Sequence, residues 1–185
     1  CFLRNRCVPC RFATSTSTAP GGLSHVDGEG KPCMVDVSQK GITYRSATAR
    51  AKVYLPPAVF ALIREDTGDI HGAKGPVFAS AIIAATMGVK KTSDLIPFCH
   101  PLPIEHIDVQ IGTDKMPEST TSTVKISCTV KTTGKTGVEM EALTGASVAA
   151  LTIYDMLKAM SHDIVISEVC LESKSGGKSA YVKRE

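Results

Sequence analysis

Hydrophobic positions change period along this chain, and each change marks an element. Over residues 123–131 they alternate, with Val124, Ile126, Cys128 and Val130 on one face and polar residues between them, which predicts a half-buried strand. Ile104, Ile107, Val109 and Ile111 mark a strand before it, and the turn-rich residues 112–120 join the two. Residues 42–55 read as a strand or a hairpin, since Thr43, Tyr44, Val53 and Tyr54 favour extended backbone. Residues 164–171 predict a closing strand. Helical stretches lie between. Pro56 and Pro57 suit a first helical turn, with Val59, Leu62 and Ile63 as its apolar stripe and Thr67-Gly68-Asp69 as its end. Residues 77–91 are alanine-rich and apolar all round, which predicts a buried helix, and residues 138–160 form the longest helical stretch.

Loops complete the pattern. Gly72-Ala73-Lys74-Gly75-Pro76 is one, and Gly134-Lys135-Thr136-Gly137 is another. Pro97, Pro101 and Pro103 forbid regular structure across residues 95–103, so Phe98-Cys99-His100 is expected in a rigid loop. The predicted order is β, α, α, β, β, α, β. Without the first helix it is βαββαβ, so the expected class is α+β, a ferredoxin-like plait with helices on one face of an antiparallel sheet and an extra N-terminal strand or hairpin and helix.

Composition narrows the function classes. The 185 residues carry 21 Lys+Arg against 18 Asp+Glu, and Arg4, Arg6 and Arg11 all precede the first acid, Asp27. Setting those three aside leaves 18 basic against 18 acidic residues, so the remainder has no general electrostatic footprint for nucleic acid or an anionic membrane. The longest uncharged runs, residues 75–89 and 142–154, are shorter than the ~18 apolar residues a membrane span needs. The seven cysteines are odd in number and mostly isolated, which reads as reduced thiols. Cys7-Val-Pro-Cys10 has metal or redox spacing but no second pair to complete a zinc site.

Residues 1–22 are basic, acid-free and rich in Ser and Thr, and end in Pro20-Gly21-Gly22, the composition of an organelle transit peptide followed by a linker. The expectation is a transit-peptide-like or disordered tail over 1–22, a single domain over 23–185, and a mitochondrial matrix location, the cytoplasm being the alternative. The initial Cys suggests a piece of a longer precursor.

Candidate chemistry gathers on the longest helix and two loops. Asp155 and Lys158 are three residues apart and can meet, either as a solvated salt bridge or as an acid/base pair in an otherwise apolar helix. Glu141 shares nearly the same face as Asp155, yet at 1.5 Å per residue the two stand roughly 21 Å apart. One monomer's small-molecule pocket cannot easily use both. Either subunits share the site, or the region around Glu139 is not helical, or both acids simply lie on a surface helix. His100 is held firmly by its proline loop beside Cys99. Lys74, between two glycines of its loop, has little steric cover and could approach a phosphate, or it is simply solvated. The terminal Ser175-Gly176-Gly177-Lys178-Ser179 ends like a P-loop but lacks its first glycine, where Glu172 stands, which excludes a nucleotide hydrolase of that class. No cluster has zinc, calcium or iron-sulfur spacing.

Three strings go further. Residues 90–103 (KKTSDLIPFCHPLP), 134–144 (GKTGVEMEALT) and 149–156 (AALTIYDM) closely resemble the molybdenum cofactor biosynthesis protein C family, the cyclic pyranopterin monophosphate synthases, and Met34-Val35-Asp36-Val37 and residues 174–179 match its ends. The resemblance spans about residues 23–179. It implies a ferredoxin-like protomer in a hexamer of three dimers, with pockets at dimer interfaces, converting a cyclised dihydro-GTP to cyclic pyranopterin monophosphate and pyrophosphate. Carried over by position, it implies catalytic roles for Asp155, Lys158 and Lys74. It places the substrate pocket at Phe98, Cys99, His100, Met140 and Glu141 with Glu139 beside them, and makes Arg45, Lys174 and Lys178 phosphate contacts. No required cofactor is expected; Mg²⁺ stays open, although nothing in the sequence supports it. Two departures stand out: Pro76 replaces a usual acid, and Ala180 a usual glycine. A non-catalytic nucleotide-binding or scaffold protein on the same fold is the rival expectation. RNA binders of this fold stack bases on sheet aromatics, and the strands over 104–111 and 123–131 carry none.

Overall fold

The structure, a computed structural model, describes residues 30–114 and 122–184. Residues 1–35 and 36–185 form two compact units. The first is described only at residues 30–35, so the tail expected over 1–22 lies outside the described residues.

The second unit is built on β1 (Thr43–Leu55), one continuous strand rather than a hairpin. Ala47, Ala49, Ala51, Val53 and Leu55 are buried on one face, and the residues between them point away. Small side chains here let helices lie close to the centre of the sheet. β1 pairs antiparallel with β5 (Ser122–Gly134) along its whole length and with β6 (Val165–Ser175) on its other side. β4 (His106–Asp114) pairs with β5, and the two-residue β7 (Tyr181–Val182) with β6. The order β4-β5-β1-β6-β7 follows the expected plait with one short strand added at an edge.

Two crossover helices, α2 (Val77–Lys90) and α4 (Glu139–Leu157), pack on each other and on the sheet. Their approach depends on Gly145, where an added Cβ would lie 2.5 Å from Cys128 Sγ and 2.7 Å from Val89 Cγ2. The core between helices and sheet includes Val77, Val89, Val124, Ile126, Ile153 and Leu157, all essentially inaccessible.

Three local expectations change. The first helix, α1 (Pro57–Phe60), is a single turn. Val59 reaches the core from that turn, while Ile63 is packed there by a bridge to Ile70, so continuing the helix would bury nothing more. The chain doubles back instead, with Arg64 N–H donating to the Asp69 carbonyl and Gly68 at φ +65°. The loop around Lys74 is a small hairpin, β2 (His71–Gly72) with β3 (Gly75–Pro76), followed downstream by the one-turn α3 (Thr92–Leu95). Finally, α2 is not buried all round, because Ile83 and Met87 are exposed in the protomer, as is Leu151 on α4.

Both departures from the family pattern fit the backbone. Pro76 sits at φ −71°, where proline is unstrained, and Glu168 is the one described non-glycine residue with positive φ, so Ala180 needs no glycine freedom.

Candidate active site

The chemistry-bearing residues gather at the two ends of α4. At its N-terminus, Glu139 and Glu141 occupy the first turn, where unpaired backbone N–H groups favour negative charge. Lys174, carried by β6, donates to Glu139 Oε1 at 3.0 Å. Glu141 is only 5% exposed and lines a cavity of about 80 Å³ with His100, Thr92 and Ser93. Burial pushes its carboxyl up to about 6, and the nearby Glu139 charge adds to the shift.

The proline loop supplies the opposite wall. Cys99 N–H donates to the Ile96 carbonyl at 3.0 Å, and the buried Thr132 hydroxyl of β5 donates to the Pro103 carbonyl at 2.6 Å, tying the loop to the sheet. Burial raises the Cys99 thiol, and the Glu141 carboxylate raises it further. Phe98 and Met140 belong to this end and stand exposed.

Arg45 of β1 donates from Nε to the Gly134 carbonyl (3.1 Å) and from Nη2 to the Lys135 carbonyl (3.2 Å), so it braces the loop before α4. The β6–β7 turn closes over it. Gly177 sits at φ +73°, and a Cβ there would come within 2.3 Å of Arg45 Nη1. Lys40, Arg45 and Lys178 line a recess of about 340 Å³ with Thr43 and two glycines, three cations with no acid in the wall. Lys40 carries no motif that singles it out in the sequence.

At the C-terminal end, Asp155 is the hub. Lys158 Nζ lies 2.7 Å from Asp155 Oδ1, and Lys74 Nζ, from the β2–β3 turn, lies 3.2 Å from Oδ2. The bond from Lys158 and then that from Lys74 hold the Asp155 carboxyl below the usual carboxylate range, and the same Asp155 bond raises Lys158. All three side chains are at least half exposed in the protomer, since Lys158 is the C-cap beyond the last buried turn. The apolar helix therefore does not desolvate Lys158 within one chain.

Because α4 is helical from Glu139 onward, Glu141 and Asp155 are separated by roughly 21 Å of helix. One end groups Phe98, Cys99, His100, Glu139, Met140, Glu141, Arg45, Lys174 and Lys178. The other groups Lys74, Asp155 and Lys158. Within one chain the two sets do not meet.

The MoaC family model matches residues 34–177. A cyclic pyranopterin monophosphate synthase of Xanthomonas axonopodis pv. citri is 53% identical over 84% of this chain and 90% of its own length. A protein of the same name from Heliobacterium modesticaldum is 52% identical over 88% of this chain and 98% of its own. Molybdenum cofactor biosynthesis protein 1 of Dictyostelium discoideum is 50% identical over 85% of this chain, which corresponds to 27% of that longer protein. With the plait, the two clusters on α4 and identities of this size over most of its length, the chain belongs to the MoaC family.

Proposed function

We propose that this chain is a cyclic pyranopterin monophosphate synthase, converting (8S)-3′,8-cyclo-7,8-dihydroguanosine 5′-triphosphate to cyclic pyranopterin monophosphate and pyrophosphate. What carries the activity is identity at about half of all positions to synthases matched over nine-tenths or more of their own length. The geometry supports the roles proposed for the site residues.

The reaction opens a purine-derived ring, builds a pyran and closes a cyclic phosphate as pyrophosphate leaves. Lys158, held charged by Asp155, is placed to donate a proton first and to recover it through the carboxylate. Lys74 adds a second cation at the same carboxylate. The His100–Glu141 cavity, with a carboxyl near 6 that gains or loses a proton around neutral pH, suits the hydrogen-bonding ring of the substrate. Lys40, Arg45 and Lys178, with Lys174, suit the triphosphate and the charge that develops on the leaving pyrophosphate.

A single protomer separates these functions by the length of α4, so the proposed site is shared. Two copies that pack their outer helix faces antiparallel bring the Lys74–Asp155–Lys158 end of one against the Glu139–Glu141 end of the other. The exposed Ile83, Met87 and Leu151 give that contact an apolar centre, and it also desolvates Lys158. Three such dimers form the proposed hexamer. No resident cofactor is proposed, so chelation with EDTA should leave turnover unchanged. The proposed matrix location rests on the composition of residues 1–22. No helix among the described residues is long and apolar enough to cross a membrane.

The test is incubation of the purified protein with the enzymatically made substrate, following pyrophosphate and cyclic phosphate product by mass. Lys158→Ala and Asp155→Ala should abolish turnover and leave the assembly intact. An assembled wild-type protein that binds the compound without converting it contradicts the proposal.

A further inference from the structure

Asp69 is a buried carboxylate to which the mechanism above gives no part. It is 9% exposed, and both oxygens are engaged. Oδ1 accepts the backbone N–H groups of Ile70 (2.6 Å) and Phe78 (2.7 Å), and Oδ2 that of Ala79 (3.1 Å). Phe78 and Ala79 belong to the first turn of α2, whose N–H groups have no partner within the helix. The residue at the helix N-cap is Pro76, which has no side-chain oxygen and makes no capping bond. Val77 N–H, the remaining donor beside it, goes to the Ile70 carbonyl at 2.9 Å. Residues 69 and 70 thus do from a distance what an N-cap residue ordinarily does locally.

This arrangement has a geometric result. The chain leaves the start of α2 at Ile70, makes the β2–β3 excursion and returns to the same point at Val77, so both stems of the hairpin are pinned by one clamp. Lys74 stands in the turn between the two short strands, followed by Gly75 at φ +102°. Its partner Asp155 is 81 residues away. That ion pair is 65% and 53% exposed at its two side chains and contributes little holding force in water. The position of the Lys74 amine is therefore set by the backbone beneath it.

We propose that Asp69 is the positioning residue for Lys74, fixing the hairpin on the first turn of α2 so that the amine meets Asp155. The inference rests on the synthase reading for its effect on turnover, although its structural half stands without it.

The experiment uses the full chain with Asp69→Ala, which removes all three acceptor contacts. Asp69→Asn keeps an oxygen for Ile70 and Phe78 but sets an NH₂ group against Ala79 N–H, and it serves if the alanine variant fails to fold. Ile126→Ala, a mid-sheet core truncation outside the site, is the control for lost stability. The first readout is competitive acylation of lysines by acetic anhydride, read by mass spectrometry. Lys74 labelling relative to the exposed Lys91 should change in the Asp69 variants and stay at its wild-type value in the control. The second readout is a double-mutant cycle with Lys74→Ala. Asp69→Ala should lower kcat at least tenfold with KM little changed, and should add no more than about twofold when Lys74 is already alanine. Unchanged Lys74 labelling, or losses that multiply in the double variant, overturn the proposal and leave Asp69 a cap only. If the wild type itself makes no product, the synthase reading fails while the labelling still decides the role of Asp69.

Discussion

Replacing Thr132 by Val tests how the His100 loop is held. Thr132 is fully buried in β5, and its hydroxyl donates to the Pro103 carbonyl at 2.6 Å. Valine has the same shape and strand preference, so the change isolates the hydrogen bond. Pro103 is exposed, so water can replace the lost donor, and losing this part-buried bond costs about 0.5–1.5 kcal/mol. In a chain of this size each kcal/mol lowers the melting temperature by about 2–4 °C, so the variant should melt about 1–6 °C below wild type. Thr132→Ser keeps the hydroxyl and loses one methyl, worth about 1 kcal/mol. The two variants separate in amide hydrogen exchange. Residues 98–100 should exchange faster in Thr132→Val and near the wild-type rate in Thr132→Ser, with turnover falling several-fold only in the former. A valine variant that melts with the wild type and protects residues 98–100 equally would refute the claim that this bond holds the loop.

Glu141 gives a pH prediction. Its folded carboxyl lies at about 6, above the 4.5 expected when unfolded, so the folded state binds the proton more tightly and stability falls as pH rises between those values. The gap is worth roughly 2 kcal/mol, and Glu141→Gln should exceed the wild type by up to that amount at pH 7–8 while matching it near pH 4. Parallel melts across pH decide this, and equal melting at pH 7.5 contradicts the burial account. Cys128, whose thiol burial pushes up to about 12, should resist iodoacetamide at pH 8 in the native protein, whereas the half-buried Cys33, Cys99 and Cys170 react. Native-state labelling of Cys128 at the rate of Cys170 would show that the α4–β5 core opens readily.

The sequence carried the plait because the alternation in β5 and the apolar helices report burial directly. It carried less where an apolar side chain had more than one way to be covered. Val59, Leu62 and Ile63 suit a helix, but a single turn and the Ile63–Ile70 bridge meet the same need. Ile83 and Met87 signal a demand for burial without naming the chain that meets it, which is why α2 reads as a core helix and is half open in the protomer. The candidate site rests on motifs and on an argument from helix length, and the helical start at Glu139 removes one of its alternatives. Two contributors were not legible. Asp69 caps α2 from seven residues before the N-cap, and Lys40 joins Arg45 and Lys178 only through the register of β1 and the turn after β6.

The central claim is that each site takes one end of α4 from each of two chains, and mixing two inactive variants tests it most directly. Lys158→Ala disables one end and Glu141→Gln the other. Random pairing makes half of all dimers mixed, and each mixed dimer has one site with both ends intact and one with neither. An equal mixture, co-expressed or refolded together, should therefore recover about a quarter of wild-type turnover, although each variant alone is inactive. Mixed oligomers, verified by native mass spectrometry, that remain inactive would contradict the shared site.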